Sequence, residues 1–190
     1  MAQLGFGNKS RESLAEWRLA TQEGDKRVIA AVNGAAVGGG LAIALASDIR
    51  IASDRARFGA VFIKTGLSSG DVGTSYFLPR LVVAGVAADL MLTGRIIDAA
   101  EAREIRLVSR VVTSADLAST AMNAARSIRE NSEYGVWMTK KGLWANVDAP
   151  SLRHAMELEN RTQVLGSFTG CMEESMQAFG EGRKPSWKPL

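Results

Sequence analysis

The stretch Lys26-Arg27-Val28-Ile29-Ala30-Ala31-Val32-Asn33-Gly34-Ala35-Ala36-Val37-Gly38-Gly39-Gly40-Leu41-Ala42-Ile43-Ala44-Leu45-Ala46-Ser47-Asp48-Ile49-Arg50-Ile51 organises the chain. Val28 to Val32 is a short apolar run between a basic pair and Asn33-Gly34, the pattern of a strand buried on both faces that ends in a turn. Gly38, Gly39 and Gly40 then let the backbone take conformations closed to other residues and leave its amides without side-chain cover. Leu41 to Ala46 holds only Ala, Leu and Ile, which predicts a helix buried on every side. The first-turn N–H groups of such a helix lack intrahelical acceptors and sit at the positive end of its dipole, directly at the glycines. A phosphate, a carboxylate or a developing oxyanion would each be stabilised there.

The spacing rules out two common anion cradles. Gly34, Gly38, Gly39 and Gly40 do not form G-x-G-x-x-G, and no Gly-Lys-Ser/Thr follows for a P-loop. With 190 residues the chain has a single-domain length, and 46% hydrophobic and 23% charged residues suit a packed globular core. The net charge of +3 is spread among both signs without a basic block, which argues against a nucleic-acid partner. One cysteine, Cys171, excludes an internal disulfide, and one histidine, His154, leaves no His- or Cys-based metal set. No apolar run reaches a membrane span and the first residues lack a signal-peptide core, so the expected location is cytoplasmic, with no metal and no cofactor.

Taken in order, residues 1–10 read as a loop and 11–24 as an amphipathic helix. After the buried helix, Asp48 to Ala52 and Arg57 to Gly59 read as strands beside the first. Residues 61–74 form a glycine-punctuated loop whose one acid is Asp71, the kind of segment on which a rigid scaffold carries polar chemistry. Helices are expected over Val86 to Leu92 with closure at Gly94, and over Ala99 to Ile105 with Asp98 as cap. Val108 to Val112 reads as a strand and a helix follows from Ser114 or Asp116 to Arg129. Further helices fill 133–147 and 151–166, with Pro150 in the break, and one more lies between Gly170 and Gly182.

Gly66-Leu67-Ser68-Ser69-Gly70 satisfies G-x-S-x-G, and with Val61 to Ile63 as a strand and His154 downstream it permits a serine-hydrolase order. Asp71-Val72-Gly73 makes a poor start to the helix that a nucleophile elbow needs. Asp71 has a bland alternative too, an Asx-type turn between Gly70 and Gly73.

The central stretch resembles the signature of the crotonase superfamily, the enoyl-CoA hydratases and isomerases. Ordered matches continue through Ala56-Arg57-Phe58-Gly59, Leu78-Pro79-Arg80-Leu81, Leu92-Thr93-Gly94-Arg95, Leu107 to Val112 and Arg183-Lys184-Pro185-Ser186-Trp187. The resemblance implies an α/β fold, a spiral of β/α turns over residues 1–112 with a C-terminal helical region over 113–190, together one structural domain. It implies an acyl-CoA thioester as substrate, no separate cofactor, and a homotrimer or hexamer.

It also places the site. Gly39 corresponds to an oxyanion donor, with Ala36, Gly38, Gly40, Ala42, Phe62 and Gly70 around the substrate. Ala42 and Phe62 stand where hydratases carry the two glutamates that hold water, and Asp71-Val72-Gly73-Thr74 looks like the segment bearing the catalytic aspartate of dienoyl-CoA isomerases. The upstream segment that supplies the family's first oxyanion donor has no match in this sequence, so the chain reads as lacking the N-terminal part. Arg106 stands where a helix-ending glycine is typical. An acyl-CoA binder or assembly homologue without turnover is the competing expectation.

Overall fold

The computed structural model describes residues 24–189. The loop expected over 1–10 lies outside them, as does the helix expected over 11–24 apart from Gly24. The chain divides into two compact units, one ending at Asn123 and the other beginning at Ala124.

The first unit holds two three-stranded sheets. In one, β1 (Ile29–Val32), β3 (Ile49–Ser53) and β6 (Arg110–Val112) lie parallel with β3 central, and Ile29 pairs with Ile49 and Ile51 with Arg110. In the other, β2 (Ala35–Val37) runs parallel to β4 (Arg57–Gly59), which pairs antiparallel with β5 (Ile96–Asp98). Two expectations therefore change. The 57–59 strand joins β2 and not β1, and β1 is half-buried with Ala31 exposed because it takes a single partner, β3, among the described residues. The strand expected from Val108 begins at Arg110; Leu107 and Val108 are buried in the turn before it.

Helix α1 (Gly39–Ala46) sits between these sheets in sequence, and Leu41, Ala42, Ala44, Leu45 and Ala46 are buried. Ile43 is 38% exposed, so the helix is covered on all but one side. Each fully buried leucine contributes about 1.5–3 kcal/mol relative to exposure. The C-terminal end of α1 is held by Arg50, whose Nη1 donates to the Ser47 carbonyl at 2.6 Å and the Leu45 carbonyl at 3.4 Å while Nε donates to the Leu107 carbonyl at 2.9 Å. A cation against the last carbonyls complements the dipole. Burial holds the Arg50 pKa below its ordinary value, and Asp48 opposes that shift.

A 3-10 helix over Val61–Thr65 leads to α2 (Thr74–Leu81), which packs on α1. Helix α3 (Ala84–Thr93) ends at Gly94 in the left-handed conformation, and Asp98 Oδ1 accepts the Glu101 N–H at 2.9 Å to cap α4 (Ala99–Glu104), both as the sequence leads one to expect. Arg95 bridges these helices, contacting Asp89 at 2.6 Å and Glu101 at 2.7 Å.

Helix α5 (Leu117–Arg129) contains the boundary between the units. The second unit continues with α6 (Glu133–Val147), α7 (Leu152–Gly166) and α8 (Cys171–Gly180). Ser132 and Ser151 cap α6 and α7 through their hydroxyls. Helices α6 and α7 pack together, with the Tyr134 hydroxyl donating to the Thr162 carbonyl at 2.6 Å. No residue of α7 is buried, and Phe168 and Phe179 are 82% and 90% exposed. No helix among the described residues is long and apolar enough to cross a membrane.

Candidate active site

Gly38 caps α1 at φ 53° and ψ −119°, a conformation open to glycine and costly to other residues. Its N–H donates to the Gly59 carbonyl at 3.0 Å, so the turn is tied to the end of β4, and its carbonyl accepts the Ala42 N–H at 3.1 Å. A glycine offers no side-chain oxygen to the first turn, which also contains no acid. Among the described residues the Gly39 and Gly40 amides consequently find no acceptor. A Cβ on either glycine would meet nothing within 4 Å. The helix thus begins with N–H donors that no protein acceptor takes up, on glycines with room at the Cβ position, where the dipole favours negative charge.

Phe62 closes one side. Carried by the 3-10 helix, its ring lies against Gly38. Ala42 is 1% exposed on α1, and Ala36 is buried on β2 opposite Phe58. The structure therefore brings Gly38, Gly39, Gly40 and Phe62 together around the helix start, while Ala36 and Ala42 are buried on β2 and on α1.

Gly70 and Asp71 lie on the loop leading into α2. The loop is pinned at its base: the buried Ser69 hydroxyl donates to the Ala60 carbonyl at 2.8 Å and accepts the Ile63 N–H at 3.3 Å. The Gly70 N–H donates to Ser68 Oγ at 3.0 Å. Asp71 Oδ1 accepts the Val72 N–H at 2.9 Å, and the Asp71 carbonyl accepts the Thr74 N–H at 2.9 Å. Between them Val72 (φ 44°) and Gly73 (φ 69°) both have positive φ, the dihedral pattern of a type I′ turn. Val72 is a β-branched residue in the left-handed region, a conformation of order 1–3 kcal/mol in cost. The carboxylate bonds the next residue's N–H and not the one two residues on, so it is no Asx-turn; the turn is closed by the Asp71 backbone carbonyl, and it is a strained one.

Two features of this turn carry no local sequence signal. Val72 gives no local signal, since its own preference points away from positive φ. Thr74 is 1% exposed and its hydroxyl has no hydrogen-bond partner, a buried orphan that only packing reveals.

The elbow of a serine hydrolase is not formed. Residues 61–65 are a 3-10 helix and not a strand, the next helix begins only at Thr74, and the Ser68 hydroxyl accepts from Gly70. The described residues contain no group of three or more His, Cys, Asp or Glu that could hold a metal.

The enoyl-CoA hydratase/isomerase family model matches residues 2–189. A probable enoyl-CoA hydratase of Mycobacterium tuberculosis is 41% identical over 181 residues, covering 95% of this chain and 64% of that protein. The (E)-benzylidenesuccinyl-CoA hydratase of Thauera aromatica is 40% identical, over 86% of this chain and 63% of its own length. The chain therefore spans a little under two thirds of these curated relatives. Among solved structures, a probable enoyl-CoA hydratase/isomerase from Mycobacterium abscessus superposes with a TM-score of 0.90 at 41% identity, covering 95% of this chain and 69% of that one. A monofunctional enoyl-CoA isomerase from Mycobacterium smegmatis is 47% identical with a TM-score of 0.70, over 75% and 67% respectively. The chain belongs to the enoyl-CoA hydratase/isomerase family and has the crotonase fold.

Proposed function

We propose that the protein acts on acyl-CoA thioesters, holding the thioester carbonyl at the Gly39 N–H and stabilising the enolate that forms on loss of an α-proton. The observation that carries this reading is the start of α1, where a positive-φ glycine tied to Gly59 leaves the Gly39 and Gly40 amides open beside Phe62. Donors preorganised toward developing charge are the largest single source of catalysis in reactions of this kind.

Asp71 carries the proton in this reading. Ala42 and Phe62 provide no carboxylate, so the reading leaves Asp71, the one acid of the 61–74 loop, as a single acid/base group, enough to move a proton between two carbons and short of the pair that hydration uses in the family. Isomerisation of a 3-enoyl-CoA is therefore favoured over hydration of a 2-enoyl-CoA. The exposed apolar side chains of α7 and α8, together with Phe168 between them, support assembly into a homotrimer or hexamer that covers them.

The test measures CoA-ester binding, isomerisation and hydration in the parent and in Asp71→Asn, after equal thermal stability has been established. The expected result is binding in both forms with isomerisation lower in Asp71→Asn by about 100- to 10,000-fold. Equal turnover in the two forms overturns the role of Asp71. Binding without any turnover in the parent favours the second reading, an acyl-CoA binder, which the apolar Ala42 and Phe62 support.

A further inference from the structure

The turn after Asp71 is built in a way that its sequence resists. Val72 has φ 44°, where Asn or Gly would sit at little cost and a β-branched side chain crowds its own backbone. Such a conformation persists only where the flanking structure fixes it. Both flanks do so here. On the entry side Ser69 is buried and bonded to Ala60, and Gly70 is bonded to Ser68; on the exit side Thr74 is 1% exposed and begins α2.

We propose that Val72 is a positioning residue for Asp71, its left-handed backbone closing a turn that keeps the Val72 N–H on the Asp71 carboxylate and so fixes the rotamer from which that group moves a proton. The inference rests on the reading of Asp71 as the proton carrier. Its geometry is as follows. Positive φ at Val72 and Gly73 brings the Thr74 N–H within 2.9 Å of the Asp71 carbonyl. That bond stops the peptide between Asp71 and Val72 from rotating, and the same peptide supplies the N–H that Asp71 Oδ1 accepts at 2.9 Å. With φ of Val72 in the ordinary negative range the turn closes instead as type II, which Gly73 at φ 69° also permits; with both flanks pinned, the Asp71–Val72 peptide must then rotate to keep the chain's course, and its N–H turns relative to Oδ1. A proton carrier that wanders by about 1 Å loses on the order of 100-fold in rate.

Three substitutions separate positioning from mere routing of the chain. Val72→Asn keeps the N–H and favours the left-handed region, so isomerisation should stay within about twofold of the parent. Val72→Gly keeps the N–H and frees φ, and kcat should fall by about 10- to 100-fold with KM within about twofold. Val72→Pro removes the N–H and fixes φ near −65°, and a folded variant should approach the rate of Asp71→Asn. In the Asp71→Asn background Val72→Gly should cause no further loss, since a positioning residue has nothing left to position.

A Val72→Gly loss of equal factor in both backgrounds, or a folded Val72→Pro with the parent kcat, overturns the inference while Asp71 keeps its role. Asp71→Asn at the parent rate, or a parent without turnover, overturns the role of Asp71 and this inference with it. Should Val72→Pro not fold, the Val72→Gly and Val72→Asn pair decides: equal kcat in those two is the overturning result.

Discussion

The Phe62 ring lies against Gly38 so closely that a Cβ added to the glycine would sit 3.4 Å from Cζ. That is ordinary contact distance, so the ring need not move to accept a methyl group. The cost of Gly38→Ala comes from φ 53° combined with ψ −119°, which lies outside the left-handed helical well and is sparsely open to L-residues, of order 1–3 kcal/mol. Since a chain of this length changes Tm by about 2–4 °C per kcal/mol, calorimetry should record a fall of about 2–12 °C. An unchanged Tm would mean that the turn relaxes to another conformation, and the Gly38–Gly59 hydrogen bond would then be absent as well.

The opposite sign is expected at Arg106, which has φ 64° one residue beyond Ile105, the C-cap of α4. Its N–H donates to the Arg103 carbonyl at 3.2 Å and the Leu107 N–H to the Ala102 carbonyl at 2.9 Å. These are the two bonds of a Schellman motif, in which the left-handed position is normally glycine. The Arg106 side chain is exposed and the following Leu107 is 1% exposed, so the motif's buried contact is made by Leu107. Arg106→Gly removes strain without removing packing, and should raise stability by about 1 kcal/mol, seen as a Tm higher by about 2–4 °C.

Arg106 and Val72 also show where the sequence stops being readable. Local signals served well where residue preference and tertiary demand agree: Asp98 capping α4, Gly94 closing α3, and the glycine run opening α1. They failed where partners decide. Ala35–Val37 is a strand because Ala36 pairs with Phe58, and Ile96–Asp98 because Ile97 pairs with Phe58 from the other side; neither three-residue run announces itself. The same holds for the two strained residues, whose conformations oppose their own preferences and are imposed by what packs on either side. The contact between Phe62 and Gly38 was reachable through the family resemblance, which aligned Phe62 with a site position, and not through local pattern.

In the second unit the C-terminal segment is held by charge. Arg183 donates to the two Glu174 carboxylate oxygens at 2.6 and 3.1 Å, and the Ser186 N–H donates to one of them at 2.6 Å. Arg183 and then Ser186 are the main causes that hold the Glu174 carboxyl down to about 2 from an ordinary 4.5. A carboxyl with a depressed folded pKa contributes its stabilisation in full above the unfolded value and loses it as pH falls toward the folded one. The tail should therefore loosen between about pH 4.5 and about 2. The Trp187 indole N–H, which donates to the Glu130 carbonyl at 2.7 Å, gives the signal. Its resonance should shift across that window ahead of any loss of helicity, and in Glu174→Gln the step should disappear.

The half-buried Phe62 ring stands at the start of α1, where no acid is present and the dipole favours one. Phe62→Glu places a carboxylate there at low desolvation cost, because the position is open to solvent on one side, whereas Ala42→Glu would force a charge into a site 1% exposed. With Asp71 as one acid/base group and a second carboxylate at position 62, water can be held and activated, and general-base assistance of this kind is worth about 100- to 10,000-fold. The ratio of 2-enoyl-CoA hydration to 3-enoyl-CoA isomerisation should therefore rise in Phe62→Glu by at least about tenfold, with most of the gain lost in the Phe62→Glu, Asp71→Asn double variant. A ratio that stays at the parent value in a folded Phe62→Glu protein would show that the side chain at 62 does not reach the reacting carbons, and that the apolar character of this position is no ground for the proposed preference for isomerisation.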